Sequence, residues 1–378
     1  MIYVVKQGDS LYGIAKQFGT NAATLASING IPDSDVLVLG QALVLPSTPS
    51  PDRPIVESNL YVEWYTEIPS ENVIKQVETN AAQLTYMMPF AYEVKRDGTL
   101  TTMSWGKLPE VAKANKVETV IVLANIENGA FSDTLAHTIF TNQEVKQKVF
   151  EQAVAEAKKR GTTHIHTDFE YIDSADRENY VNFLKELKAY AKGFTISASL
   201  APKTSAEQNG KWYGGHDYKA IGEVVDFVVI MTYEWGYSGG PPMAVSPIGP
   251  VRKVLEYAVT EIEPSKVMMG QNLYGYDWTL PYKPGNPFAK AVSPQQAIQL
   301  AKDRNAAIEY DPVAQAPFFH YWKDGKEHEV WFEDARSIQA KFNLLKELKL
   351  QGISYWHSGF DFPQNWYLLN EMFRVKKK

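Results

Sequence analysis

Eight short β-branched or apolar runs follow one another after residue 58, and amphipathic stretches separate many of them. The runs are Asn59–Trp64, Tyr86–Phe90, Thr119–Leu123, His164–Phe169, Phe194–Ser199, Phe227–Thr232, Val267–Leu273 and Gly352–Trp356. Between them Val145–Arg160, Arg177–Lys192, Pro250–Glu261 and Asp334–Leu348 carry apolar residues at helical spacing. Parallel strands need long crossovers, usually helical, so this alternation predicts a parallel α/β fold. Eight such units in about 320 residues match a TIM (β/α)8 barrel, whose chemistry sits on the loops after the strand C-termini. A doubly wound open sheet is the alternative, but no glycine-rich phosphate loop follows the first run. The stretch Tyr276–Glu333 is too long for a barrel connection and reads as a small α+β insertion between strands seven and eight.

Upstream, Pro46-Ser-Thr-Pro-Ser-Pro-Asp-Arg-Pro54 can continue neither a helix nor a central strand. The expected division is a small module over 1–47, a stiff linker over 48–56 and the barrel over 57–378. The module reads strand, helix, helix, strand: Tyr3–Val5, a helix through Leu11, Ile14, Ala15 and Phe18 capped by Asp9 and Ser10, a second helix Asn21–Ile28, and Ala42–Leu45. Tyr3-Val-Val-Lys-Gln-Gly-Asp-Ser-Leu11, Phe18-Gly-Thr20, Asn29-Gly-Ile31 and Leu39-Gly-Gln-Ala-Leu-Val-Leu-Pro46 resemble the LysM domain. That resemblance implies binding of N-acetylglucosamine-containing glycans such as peptidoglycan and chitin. The family's binding loops map onto Gly8, Asp9, Ser10, Leu11 and Tyr12, and onto Gly30–Asp33 with Ile31 and Pro32. Gly8, Asp9 and Ser10 also suit a turn and a cap, and the two roles are compatible.

Composition narrows the partners. Net charge is −6, with no basic block beyond Lys376–Lys378, which disfavours nucleic acid. No apolar run is long enough to span a membrane, and the start MIYVVKQGDS lacks the basic and apolar segments of a signal peptide. The absence of cysteine excludes disulfides, thiol catalysis and cysteine-ligated zinc. Aromatic residues reach 12%, and their flat faces are the surface on which sugar rings stack, although large cores use them too.

The chemistry concentrates in Thr163-His-Ile-His-Thr-Asp-Phe-Glu-Tyr171. Side chains alternate along a strand, so His164, His166, Asp168 and Glu170 share one face. Burying four such groups costs several kcal/mol unless they are paired, which argues against a purely structural role; an edge strand with one wet face would need hairpin signals that are absent. The imidazole–x–imidazole spacing suits a metal, but strands five and six supply no further histidine. The carboxylates suit glycosidic cleavage, which needs an acid at the leaving oxygen and stabilisation of an oxocarbenium-like centre. Glu170 lies nearest the mouth, and Asp168 sits about 6–7 Å deeper along the backbone. Close carboxylates push one pKa up, keeping Glu170 protonated.

Asp168-Phe-Glu170 matches the last two acids of the Asp-x-x-Asp-x-Asp-x-Glu motif of glycoside hydrolase family 18, which the chain resembles further in Met231-Thr-Tyr233, Gln271-Asn-Leu-Tyr274 and Tyr355-Trp356. The resemblance implies a retaining, substrate-assisted hydrolase that uses no metal or other cofactor. It makes Glu170 the acid/base, Asp168 and Tyr233 the groups that hold the 2-acetamido nucleophile, and Trp356 the floor of the sugar site. Thr163 and His166 stand where the motif has its first two aspartates. His166 is expected as a neutral or proton-sharing partner of Asp168. Further substrate-binding candidates are Glu234, Asn272, Tyr274 and Asn125, with Glu127 beside it; Tyr61, Glu63 and Trp64 are either site or core, and Met87–Phe90 reads as core.

Glu170-Tyr-Ile, Asp176-Arg-Glu-Asn-Tyr180, Tyr233-Glu-Trp-Gly-Tyr-Ser-Gly-Gly-Pro-Pro242 and Val330-Trp-Phe-Glu-Asp-Ala-Arg336 resemble the spore cortex-lytic N-acetylglucosaminidases (SleL/YaaH type) of spore-forming bacilli. That implies hydrolysis of N-acetylglucosaminyl bonds in cortex peptidoglycan during germination, in the spore coat and cortex region; the expectation beside it is a monomer with no nucleic-acid or membrane partner. A lectin-like barrel that has lost activity, and a chitinase or endo-N-acetylglucosaminidase, are the alternatives.

Overall fold

The computed structural model describes residues 1–32 and 37–378. Eight parallel strands form a closed ring. The first, Ile55–Glu63, pairs with the second, Tyr86–Phe90, and with the eighth, Gly352–Trp356. The third, Ile121–Ala124, meets the second through Tyr92 opposite Leu123 and, just upstream, Glu118 opposite Tyr86. The fourth (His164–Asp168), fifth (Thr195–Leu200), sixth (Phe227–Ile230) and seventh (Val267–Asn272) complete the circuit in chain order. The barrel expectation is correct. An open sheet would leave two edges, whereas here the eighth strand returns to the first. Closure is tight: a Cβ at Gly352 would stand 1.8 Å from the Glu57 carbonyl oxygen.

Alternation along the strands separates two cores. Ile121, Leu123, Ile165, Ile196, Ala198 and Val228 point outward into one core with Val149, Phe183 and Leu255 of the surrounding helices. Tyr61, Tyr86, Val122, Phe227, Val229 and Met268 fill the ring. At its floor Tyr86 and Phe227 flank the His164 ring at 5.1 and 5.4 Å between centroids. The helix Gln143–Arg160 shows how the crossovers are delimited. The Asn142 side chain accepts from the Glu144 and Val145 N–H groups at its start, and Gly161, at φ 71°, ends it.

Between the seventh and eighth strands lies an antiparallel sheet of five strands, in the order Lys290–Val292, Gly275–Thr279, Lys326–Trp331, Ala316–Lys323, Glu309–Asp311. Helix Pro294–Asp303 packs on it, started by a capping box between Ser293 and Gln296. The expected α+β insertion is this unit.

The N-terminal module pairs Ile2–Val4 with Ala42–Val44 and packs helices Leu11–Gln17 and Ala22–Asn29 against them. It does not hang free on its linker. Buried Asn29 donates to the Leu25 and Val44 carbonyls at 2.8 and 2.9 Å and accepts from Val44 N–H at 2.6 Å. It also accepts from Gln364 Nε2 at 2.9 Å, which donates to the Ala42 carbonyl at 2.7 Å as well. Gln364 lies on the last barrel helix, Pro363–Met372. Gln295 of the insertion donates to the Asn29 carbonyl at 2.8 Å, and Ile308 N–H to the Leu39 carbonyl at 2.8 Å. A saturated buried amide at such a junction fixes orientation, because any shift strands several hydrogen bonds at once. Of the expected glycan-binding residues, Gly8, Ser10, Tyr12 and Pro32 are exposed. Leu11 and Ile31 pack against the module's core, and Asp9 accepts from the Tyr3 hydroxyl and Lys6 N–H. Asp33 lies outside the described residues.

Candidate active site

The fourth strand is buried along its whole length, and it delivers His166 and Asp168 into the ring. Glu170 follows two residues later at the C-terminal mouth, where a cleft of about 720 Å³ opens. Asp168, Glu170, Tyr61, Tyr233, Glu234 and Trp356 line it, and Trp212 closes one side. The Tyr61 and Phe90 rings meet Trp356 edge-on at 5.5 and 4.9 Å, which braces the indole. Phe131, Tyr171, Trp212 and Tyr213 continue as an aromatic wall, with centroids 5.5–6.5 Å apart.

Glu170 is held at both ends. Asn125, directly after the third strand, accepts from Glu170 N–H at 2.9 Å and donates to the Glu170 carbonyl at 2.9 Å. Trp212 donates its indole N–H to Glu170 Oε2 at 2.7 Å, so a proton on this carboxyl belongs on Oε1. Burial pushes Asp168 up to about 6, opposed by the Ser199 hydroxyl. Burial and then the Asp168 charge push Glu170 up to about 8, opposed by the Trp212 N–H. The pair thus separates into one carboxylate and one carboxylic acid near neutral pH, the division that general acid catalysis needs.

Beneath Asp168 runs a chain of neutral groups. Ser197 Oγ lies 2.8 Å from both His164 Nε2 and His166 Nδ1, and His166 Nε2 lies 2.9 Å from Ser199 Oγ and from the Tyr61 hydroxyl. His164 Nδ1 has no partner among the described residues, so the cheaper tautomer carries its proton on Nε2. The order follows: His164 donates to Ser197, Ser197 to His166, His166 to Ser199, and Ser199 to Asp168. Burial pushes His166 down to about 3 and His164 well below its ordinary value, so both imidazoles are neutral. A His166→Asn variant should therefore keep both limbs of the pH–rate profile over about pH 4–9 while losing activity about tenfold. Loss of either limb would make His166 a titrating participant.

Glu234 sits at φ 68°, an unfavourable conformation for a side-chain-bearing residue, and Tyr171 across the cleft sits at φ 55°. The Tyr276 hydroxyl donates to Glu234 Oε1 at 3.0 Å and the Tyr274 hydroxyl reaches the same oxygen. Burial raises the Glu234 pKa against these two donors.

Four expected substrate contacts need correction. Asn125 is fully buried and its amide is spent on Glu170 and the Ser132 carbonyl. Asn272 is also fully buried; it accepts from Ser246 and Gln271 and donates to the Tyr274 carbonyl at 2.6 Å. Tyr274 lies behind Glu234 and does not line the cleft. His166 likewise sits below the cleft, touching Asp168 through Ser199. Trp212, Ser197 and Ser199 escaped the sequence reading. Trp212 lies in the long connection after the fifth strand, where its aromatic character was the sole signal. As for the metal alternative, the two strand-four imidazoles converge on a serine hydroxyl, and no three His, Asp or Glu groups gather in metal-holding geometry among the described residues.

Comparison with known proteins agrees with this geometry. Residues 60–361 match the model of glycosyl hydrolases family 18, and residues 3–46 match the LysM domain. A cortical fragment-lytic enzyme of Bacillus subtilis (strain 168) is 52% identical over 427 aligned residues, covering 100% of this chain and 99% of the relative. The crystal structure of the Bacillus megaterium QM B1551 spore cortex-lytic enzyme SleL superimposes with a TM-score of 0.96 at 47% identity, over 100% of this chain and 99% of that one. A Chromobacterium violaceum chitinase shares the fold at 23% identity, with a TM-score of 0.76 over 84% of this chain and 98% of its own. With a closed barrel, a buried Asp168 and a half-buried Glu170 at the C-terminal end of its fourth strand and a family match across most of its length, this chain belongs to glycoside hydrolase family 18 and carries a LysM domain ahead of its catalytic barrel.

Proposed function

We propose that this glycosidase cleaves N-acetylglucosaminyl bonds in spore cortex peptidoglycan during germination, with retention of configuration. The observation that carries the reading is the placement of two carboxyls, Asp168 at the end of the fourth strand and Glu170 just above it, both lining the cleft with Glu170 held by Trp212; burial and the Asp168 charge raise the Glu170 pKa and favour its acid form. In this reading Glu170 Oε1–H protonates the glycosidic oxygen as the C1–O bond breaks. The carbonyl oxygen of the substrate's own 2-acetamido group closes on C1, giving an oxazolinium ion. Asp168 accepts from the acetamido N–H and offsets the charge that develops there, and the Tyr233 hydroxyl donates to the acetamido oxygen. Glu170, now a carboxylate, takes a proton from water whose oxygen attacks C1 from the face the leaving group vacated. Two inversions give net retention, and the acid is regenerated, an exception to the usual pair of enzymic carboxylates. Trp356 floors the sugar that bears the acetamido group, and the wall from Phe131 to Tyr213 stacks on neighbouring rings.

The relatives support the substrate, since two of the three cited are named for lysis of cortex or its fragments. Spore localisation comes from the same names; among the described residues no helix is long and apolar enough to cross a membrane. The LysM module serves as the wall anchor, with exposed Gly8, Ser10 and Tyr12 turned to the glycan.

Incubation with cortex fragments tests the reading through its products. Mass spectrometry should find new reducing ends at N-acetylglucosamine, and proton NMR at early times should find the β anomer first. Reducing ends at muramic acid, or α product, would overturn it. Binding without cleavage would favour a lectin.

A further inference from the structure

A second cavity, of about 750 Å³, lies outside the catalytic cleft and is as large. Its walls are the insertion's sheet, the C-terminal half of helix Pro294–Asp303 and the segment Leu280–Lys290. The whole chain carries a net charge of −6, yet five cations line this one cavity: Lys283, Lys290, Arg304, Lys323 and Lys326. The two carboxylates in its wall are already engaged. Asp277 accepts from the Tyr321 hydroxyl at 2.7 Å and from His328 Nδ1 at 2.9 Å, and Asp303 accepts from Gln299 at 2.7 Å. Among the described residues none of the five cations reaches a carboxylate at ion-pair distance; Arg304 is held instead over the Tyr321 ring, 5.5 Å from its centroid. Phe288, 80% exposed, adds an apolar face at the rim. Cations without a carboxylate partner around a roomy cavity with one aromatic edge have the chemistry that suits carboxylates on a short organic chain.

Position suggests which chain. The loop Tyr237–Gly239 is a common wall: Tyr237 faces the catalytic cleft, while Ser238 and Gly239 face the second cavity. The Leu280–Lys290 segment is tied to that loop by Ala289 N–H on the Ser238 carbonyl at 2.8 Å and by the Tyr282 hydroxyl on the Gly239 carbonyl at 3.1 Å. On the adjoining strand Tyr276 turns to Glu234 in the cleft and Asp277 turns into the second cavity. A peptide of three residues, extended, reaches about 10 Å. We propose that this cavity is an accessory site for the acidic peptide stem that the glycan strand carries on the sugar next to the bond being cut. The inference rests on the peptidoglycan reading above for its ligand but not for its measurement.

The probe is the free stem tripeptide alanyl-γ-glutamyl-diaminopimelic acid, titrated calorimetrically into the full chain. It should bind wild type with an affinity that weakens as salt rises, and the Lys323→Glu/Lys326→Glu double variant should bind it at least about tenfold more weakly. The same variant should show a KM raised about tenfold for stem-bearing fragments and unchanged kinetics on stem-free N-acetylglucosamine oligomers, which also reports that it folds. Arg304→Gln, which leaves the rim lysines in place, should weaken the tripeptide too. Failure of wild type to bind the tripeptide, or equal binding by wild type and the double variant, overturns the accessory site whatever the catalytic result. Tripeptide binding that depends on these cations, in a chain that cuts no cortex fragment, would leave the site standing and overturn the proposed function instead.

Discussion

Glu170→Gln should lower kcat on cortex fragments by at least about 10²-fold while leaving binding of the same fragments close to wild type. The substitution keeps the shape of the side chain and a carbonyl oxygen that can accept from Trp212 N–H, so the mouth of the barrel is preserved. What it removes is the proton that leaves with the glycosidic oxygen. A second consequence separates this variant from a generally damaged one. Burial and the Asp168 charge raise the native pKa of Glu170 to about 8, against an ordinary value of 4.5. Between those values the native state binds more protons than the unfolded state, so the contribution of this group to stability falls as pH rises through that window. An amide in its place does not titrate and carries no such burden. The variant should melt at a higher temperature than wild type, and the gap should widen from about pH 4.5 to about pH 8 and then level off. Calorimetry across that range checks it. A variant that is inactive and also less stable at pH 8 would mean that Glu170 is a structural residue whose loss disrupts the mouth.

The parts of this site that could be read in the sequence are those that periodicity governs. Alternation along Thr163–Tyr171 assigns His166, Asp168 and Glu170 to one face before any contact is known, and the barrel rule then assigns that face to the mouth. Asn125, Asn272 and Tyr274 show the limit of this reasoning. All three follow or end strands on the catalytic side, so position alone makes them candidates for substrate contact. The two amides instead saturate buried backbone groups, Asn125 on Glu170 and Asn272 on Tyr274, while the Tyr274 hydroxyl is turned to Glu234. A strand end supplies unpaired N–H and C=O groups, and a short amide nearby is as apt to cap them as to meet a ligand. Trp212 was beyond reach for another reason. It enters the site from a connection with no period of its own, and a loop's path is set by tertiary contacts. Ser197 and Ser199 are small and ordinary in a strand; their importance arises only once the ring brings them within 3 Å of the two imidazoles.

The ordered donor chain leads to the other large effect, at Asp168. In family 18 the motif places an aspartate where this chain has His166, and here a neutral imidazole acting through Ser199 aims a hydroxyl proton at Asp168. Such a donor favours the ionised form, and burial opposes it; the outcome is a carboxylate that protonates near 6. The working form of the pair has Asp168 charged and Glu170 protonated, so the rate should fall below about 6 as Asp168 gains a proton and above about 8 as Glu170 loses one. Asp168→Asn should cut kcat by about 10²–10³-fold, because the acetamido group loses both its acceptor and the charge that offsets the oxazolinium. It should also change the shape of the profile. The acid limb should vanish with the group that titrates there, and the alkaline limb should move to lower pH, because the charge that pushes Glu170 up is gone. Measuring kcat/KM against pH on one defined fragment distinguishes this coupling from independent action. An alkaline limb that stays in place when Asp168 is neutralised would mean that burial alone sets the Glu170 proton, leaving Asp168 as a substrate contact without electrostatic control over the acid.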